Sequence, residues 1–488
     1  MRLILGGPGT GKTTRLLSIV EEEIASGIDP SRIAFVSFTR KAANEAAERA
    51  AKRFDFDRSQ LPYFRTLHSI AYAHANVTKS EVMGNRDYRD FGNLVGMGFN
   101  SFTDAEGPIP AGADGSKMLQ IVSYARATCT SLEEAWHATG EGVEWHALKY
   151  FADSLKHYKR DMFKLDFDDM LDRFVDNCEP LDLDVVIIDE AQDLSVKQWQ
   201  VAQHMFRNVP EIYVAGDDDQ AIYRWSGADV NHFLQISDAP EVLPVSYRLP
   251  GPIFDMANEV SQRIGRRYAK NWQSAGHEGN VIRATVDEEF DLANGTWMFL
   301  ARSHHFLQDF RHQIELLGYA YKTTRKSSVD EDEVRAIILY EALRKGEGIT
   351  GHALEHVNGY LGHNRIDLHV EDDEHVTRDD VKRFGVNFEL PWYDQLLTIG
   401  DATRQYYQSI LRNGEKLTDE PRIYTGTIHS VKGGEADNVV LCTDITYRTR
   451  QSYDLSPDDE HRVFYTGLTR ARHNLFVLDP IGNEYYDI

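Results

Sequence analysis

"MRLILGGPGTGKTTRLLSIVEEEIA" (1–25) is the stretch whose reading decides the fold. Residues 1–5 are a short apolar run, Gly6 to Thr13 fit G-x-x-x-x-G-K-[ST], and the residues that follow have helical spacing. Strand, glycine loop and helix in that order make a phosphate-binding loop. Its backbone N–H groups wrap phosphate oxygens at the positive end of the helix. Gly6, Gly7, Pro8, Gly9, Thr10, Gly11, Lys12, Thr13 and Thr14 are therefore the expected nucleotide-binding residues. Lys12 is expected to reach the β- and γ-phosphates, and Thr13 to ligate Mg²⁺. A mere glycine-rich turn is the alternative, and the complete motif in its strand-to-helix context counts against it.

"DVVIIDEAQD" (184–193) supplies the second part, an apolar strand that ends in two acids. Asp189 is expected to hold Mg²⁺, directly or through water, and Glu190 to polarise an attacking water as general base. Further strands are expected at 32–39 and 211–225, and those of another sheet at 297–303, 422–430, 438–445 and 474–479. Strands alternating with helices give parallel sheets covered on both faces, with ligands at the carboxyl ends of the strands.

The chain has 488 residues, enough for two to four folded units, and a net charge of −24. That charge argues against a passive nucleic-acid coat, although charges beyond ~10 Å are screened and a local basic groove can still act. No apolar run approaches the ~20 residues of a membrane span, and no signal peptide is visible. Cys129, Cys178 and Cys442 are far apart and outside any metal-ligand spacing, which suits a reducing cytoplasm.

The order of motifs resembles the superfamily 1 DNA helicases, in particular the UvrD/Rep-like group. The segments that carry the resemblance begin with "GGPGTGKTT" (6–14), "FVSFTRKAANEAAERA" (35–50), "FRTLHSIAY" (64–72), "LDFDDML" (165–171) and "IIDEAQD" (187–193). They continue with "VAGDDDQAIYRWSGAD" (214–229), "VSYRLPGPI" (245–253), "YTGTIHSVKGGEADNVVL" (424–441) and "EHRVFYTGLTRARHNLFVL" (460–478). The resemblance implies an α/β fold of two RecA-like P-loop NTPase cores, each a parallel sheet flanked by helices, with two mainly helical accessory inserts. The first core is expected at 1–76 and 165–243 around an insert at 77–164. The second is expected at 244–347 and 421–488 around a shortened insert at 348–420.

By the same resemblance, Arg248 and Arg470 match the family's γ-phosphate arginines, carried by the second core. Gln220 matches the γ-phosphate sensor, Glu435 the residue near the ribose, and Tyr247 the aromatic that stacks on the base. Phe38, Thr39, Arg40, His68, Tyr223, Trp225 and His429 stand in segments that resemble the DNA-contacting motifs, where aromatic faces stack on bases. The family usually has a basic residue after the tryptophan; Ser226 stands there, and Arg224 is expected to compensate. The family's glutamine ahead of the phosphate loop has no counterpart in a sequence that begins at the first strand, so loose base selectivity is expected.

The function implied is an ATP-dependent DNA helicase that moves 3′ to 5′ on single-stranded DNA and unwinds duplex, with ATP and Mg²⁺. Its expected partners are single strands, single/double-strand junctions, and replication or repair proteins, with no membrane. A monomer in the cytoplasm is expected. A translocase that strips proteins without unwinding, a nucleic-acid-independent P-loop ATPase or kinase, and a non-catalytic DNA-binding scaffold are the alternatives. The intact Lys12, Asp189, Glu190 and Arg470 count against the scaffold.

Two features of the inserts have competing readings. Lys156, Lys159, Arg160 and Lys164 could line a nucleic acid or form a solvated helix face, and the glycine-rich "GPIPAGADG" (107–115) has no chemistry. "HALEH" (352–356) fits a zinc-protease pattern with His352 and His356, and His363, His369 and His375 follow; an exposed polar insert is the preferred reading.

Overall fold

The computed structural model describes all residues except 100–113, 141, 363–365, 369 and 385. Most of the glycine-rich patch, with His363 and His369, lies outside the described residues.

The first sheet contains β1 (Arg2–Leu5), β2 (Ile33–Ser37), β3 (Phe64–Arg65), β4 (Val185–Asp189), β5 (Glu211–Gly216) and β6 (Glu241–Val242). Its order is β3-β2-β4-β5-β1-β6, with every pairing parallel. Both faces are apolar because both are covered. Ala34 and Val36 of β2 join one buried cluster with Leu171 and Phe174, while Ile33 and Phe35 join the other with Leu16 and Val20. Ser37 is opposite Asp189 and Leu5 opposite Gly216. Four strands thus deliver Gly6, Phe38, Glu190 and Asp217 to one carboxyl edge.

The second sheet is also parallel and six-stranded, in the order Tyr321–Lys322, Ile423–Thr427, Trp297–Ala301, Ala436–Leu441, Ala471–Leu478, Asn280–Ala284. Its two faces are buried in separate clusters, one with Val439, Leu441 and Leu475, the other with Phe299, Val440 and Cys442. Helices Gly251–Gln262 and Pro457–Leu468 pack on the first of these faces. The architecture is the expected pair of RecA-like cores. Strands extend less far than the sequence suggests: the one at 211–225 ends at Gly216 and continues as two short 3-10 turns, Asp218–Gln220 and Arg224–Ser226.

Each core carries a helical insert with its own apolar centre. Phe91, Leu148, Phe151 and Leu155 form that of the first, between helices Asn85–Val95 and Trp145–Asp161. In the second, helix Glu331–Lys345 buries Val334, Ile337, Tyr340 and Leu343 against Leu354, Trp392 and Ile410. This helix lies ahead of residue 348, and its buried face belongs to the same apolar cluster. Among the described residues, no helix is long and apolar enough to cross a membrane. The described cysteines are all free thiols.

Candidate functional site

The loop between β1 and helix Lys12–Ala25 turns through Gly9 and Gly11 at φ 73° and 79°, a conformation that favours glycine. A Cβ on Gly9 would also lie 2.2 Å from Cβ of Arg248, so the second core presses directly on this loop. Ser246 Oγ donates to Pro8 O at 2.7 Å and Tyr247 N to Gly9 O at 2.9 Å. Lys12 Nζ donates to Gly6 O at 2.8 Å, which folds its ammonium over the loop's concave side. Thr13 is half-buried and Thr14 exposed on the first helical turn.

Asp189 ends β4, and Glu190 follows in the left-handed region at φ 53°. Such a conformation costs a non-glycine residue about 1–3 kcal/mol and is characteristic of functional turns. Burial and the Glu190 charge push the Asp189 carboxyl up to about 7. Burial also opposes the charge on Glu190, but Lys12, Lys432 and the Gln192 amide together hold it below the usual carboxylate range. Gln192 Nε2 donates to Glu190 Oε2 at 2.7 Å, and Gln192 Oε1 accepts from Asp217 N at 3.1 Å. A divalent cation fits here: it would relieve the crowded negative charge, with the Thr13 hydroxyl and Asp189 carboxylate as its protein donors. No group of three or more metal-ligating side chains occurs among the described residues.

The second core supplies the arginines. Arg470 is 1% exposed, and its guanidinium donates to Thr466 O (2.9 Å), Gly434 O (3.1 Å), Thr469 Oγ1 (3.1 Å) and Gln220 Oε1 (2.8 Å). Burial and the neighbouring Arg248 push its pKa down to about 9. Arg248 pairs with Glu435 at 2.6 Å, and its Nε is buried without a partner. Gly9, Tyr247, Arg248, His277, Glu435, Arg472 and His473 line a cavity of about 290 Å³ beside the phosphate loop. Tyr247 stands 72% exposed at its rim.

The expected strand contacts divide into open and closed groups. Phe38 is half-buried and stacks on Tyr223 at 5.3 Å, with Trp225 6.5 Å further on. Arg40 is exposed, and Thr39 caps helix Arg40–Phe54 by accepting from Ala42 N at 3.1 Å. His68 is half-buried, with the ring of Phe167 edge-on at 5.9 Å. Phe167, in "LDFDDML", is 53% exposed at the start of helix Phe167–Asn177. By contrast His429 is buried, and its backbone carbonyl accepts from Tyr223 Oη at 3.3 Å; these two rings join the cores and do not face outward. Arg224 pairs with Asp459 at 2.7 Å and so is turned toward the second core, away from the place left by Ser226.

The other candidates are engaged internally. Lys159 pairs with Asp166 and Asp169, and Lys164 with Asp87 at 2.9 Å; only Lys156 and Arg160 of that group are exposed. His356 in "HALEH" bonds the Asp332 carbonyl at 2.9 Å.

Residues 1–241 match the family described as UvrD/REP helicase N-terminal domain, and residues 422–478 that described as UvrD-like helicase C-terminal domain. "ATP-dependent DNA helicase PcrA" of Bacillus subtilis (strain 168) is 25% identical over 396 residues, 77% of this chain and 52% of that protein. The protein of the same name from Leuconostoc citreum is 25% identical over 370 residues, 69% of this chain and 47% of that one. "Putative ATP-dependent DNA helicase YjcD" of Bacillus subtilis (strain 168) is 26% identical over 297 residues, 56% of this chain and 38% of its own length. The chain spans about half the length of the first two relatives. Two parallel cores, a phosphate loop facing buried arginines, and two matching regions that together exceed half the sequence give one conclusion: the chain belongs to the UvrD-like helicase family.

Proposed function

We propose that this protein hydrolyses ATP between its two cores and uses the closure to move 3′ to 5′ along single-stranded DNA, unwinding duplex ahead of it. One observation carries the reading. The segment 217–225 holds Gln220 against Arg470 at one end and stacks Tyr223 on Phe38 at the other. Gln220 is thereby three residues of chain from Tyr223 and five from Trp225.

In this reading Gly6 to Thr14 cradle the phosphates, with Lys12 on the β- and γ-oxygens. Thr13 and Asp189 would hold Mg²⁺, which when bound would supply positive charge beside the phosphates. Glu190 accepts the proton of the attacking water, and its hydrogen bond to Gln192 fixes its orientation. Arg248 and Arg470 stabilise the charge on the equatorial oxygens, with Gln220 as their γ-phosphate partner. Tyr247 stacks on the base and Glu435 lies near the ribose. Phe38, Trp225 and Phe167 offer faces to bases, and Arg40 meets the phosphate backbone. The polarity and the action of one protomer alone are taken from the family resemblance.

Steady-state ATPase with and without oligo(dT) tests the reading. Hydrolysis stimulated severalfold by the strand is expected. Equal rates in both conditions would favour an ATPase that does not use nucleic acid.

A further inference from the structure

Asp217, Asp218 and Asp219 are consecutive, and their side chains are completely buried. Three adjacent carboxylates tolerate burial only when paired, because the loss of hydration is otherwise severe. The cations come from the segment after helix Gly251–Gln262, whose Tyr268 packs against the first core's apolar cluster. Lys270 Nζ, itself fully buried, lies 3.0 Å from Asp217 Oδ1, 2.6 Å from Asp218 Oδ1 and 2.8 Å from Asp219 Oδ2. Arg267 clasps both oxygens of Asp219 at 2.8 and 2.6 Å, the bidentate geometry that fixes direction as well as charge. Tyr268 N donates to Asp218 Oδ2 at 2.7 Å, and Arg462 Nε to Asp218 O at 3.0 Å. Residues 267–270 follow helix Gly251–Gln262, and Arg462 is in helix Pro457–Leu468; both helices belong to the second core.

The chain itself assigns this turn to the first core, since it leaves β5 directly. Its contacts reach both cores. Ile222, Tyr223 and Ala228 are buried in the second core's apolar cluster, and Lys432 Nζ donates to Gln220 O at 2.6 Å. The first core holds it as well: Asp217 N donates to Gln192 Oε1, Asp229 N to Leu194 O at 2.9 Å, Ala228 bridges to Ser195, a Cβ on Gly227 would lie 2.8 Å from that of Ala127, and Tyr223 stacks on Phe38. Gly216 and Gly227, the latter at φ 97°, bracket the segment. The ion cluster is the charged tie of this segment to the second core.

We infer that Lys270 and Arg267 are positioning residues that tie the turn at 217–219 to the second core, so that closure of the cleft by ATP is passed through this turn to Gln220, Tyr223 and Trp225. The inference rests on the function proposed above. It gives the motor a specific seam. Tyr223 and Trp225 shift against Phe38 of the first core, and the Gln192 amide, which touches both Glu190 and Asp217, reports the shift to the catalytic base.

The test uses the full chain with Lys270→Met, Arg267→Met and the conservative Arg267→Lys. ATPase is measured across an oligo(dT) titration. Affinity for labelled oligo(dT) is measured with and without a non-hydrolysable ATP analogue, and melting temperature is recorded alongside. The methionine variants should keep KM for ATP and nucleotide-free strand affinity within about threefold, while kcat at saturating strand falls about tenfold or more. The analogue-dependent change in strand affinity should shrink to below about twofold, and Arg267→Lys should restore it. Should Lys270→Met not fold, Arg267→Met, which keeps the central lysine, carries the test. Folded variants with wild-type stimulation and a wild-type affinity change overturn the inference. So does a loss of every readout in proportion to a lowered melting temperature, which marks a purely structural cluster. A wild-type chain whose ATPase ignores the strand instead contradicts the proposed function itself.

Discussion

Arg470 Nη2 of the second core lies 2.8 Å from Gln220 Oε1 of the turn that follows β5. Every hydrogen bond of this buried guanidinium goes to a neutral oxygen, and none goes to a carboxylate. Burial, with the neighbouring Arg248, depresses its pKa to about 9. In the proposed reaction a bound γ-phosphate would supply negative charge to this guanidinium.

Arg470→Ala should therefore lower kcat on the order of 10³, with a smaller change in KM for ATP. Because the arginine also holds Thr466 and Gly434 carbonyls, melting temperature must be followed in parallel. Equal losses in kcat and ATP affinity would assign Arg470 to ground-state binding. An unchanged rate would remove it from the reaction.

Lys12→Ala should abolish ATPase and unwinding while single-strand affinity stays within a few-fold. The ammonium is folded over Gly6 and away from the Phe38–Tyr223 stack. A variant that still unwinds at a comparable rate contradicts the motor.

Trp225→Ala and Tyr223→Ala should behave differently. Trp225 is half-exposed, and its loss should weaken oligo(dT) binding by about 1–3 kcal/mol and reduce strand stimulation, with basal ATPase retained. Tyr223 is buried between Phe38 and His429, so its removal should act first on stability, by about 3–5 kcal/mol. The two effects are separable by binding titrations and thermal melts, and a reversed pattern would place the track elsewhere.

What the sequence revealed and what it hid have physical causes. The central strands were legible because burial on both faces makes them unbroken apolar runs, as in Ile33–Ser37 and Val185–Asp189. Edge strands Phe64–Arg65, Glu241–Val242 and Tyr321–Lys322 have two residues each and no period to detect. Asn280–Ala284, half polar at the opposite edge, was missed for the same lack of pattern. Residues of the phosphate site were legible from spacing within single motifs. The closed state of Tyr223 and His429 was not, since it depends on two cores meeting. Lys270 and Arg267 read as loop charges; only the run of three aspartates hinted that buried cations had to exist.

The base site should be permissive. Tyr247 presents an open ring at a cavity otherwise lined by Arg248, His277, Glu435, Arg472 and His473. Stacking accepts any purine, because every base has a π-face. GTP and dATP should support strand-stimulated hydrolysis with kcat/KM within about two decades of ATP, dATP probing the ribose contact and GTP the base. An ATP preference over GTP beyond ~10³ would require a dedicated reader of the adenine edge.

The most direct measurement is ATP-dependent unwinding of a duplex carrying either a 3′ or a 5′ single-stranded tail, with ATPase followed in the same reactions. Strand separation from the 3′-tailed duplex, little from the 5′-tailed one, and none with Lys12→Ala is the expected result. Hydrolysis that proceeds at the same rate with either duplex or none, and separates neither, would contradict a motor driven by closure of the two cores.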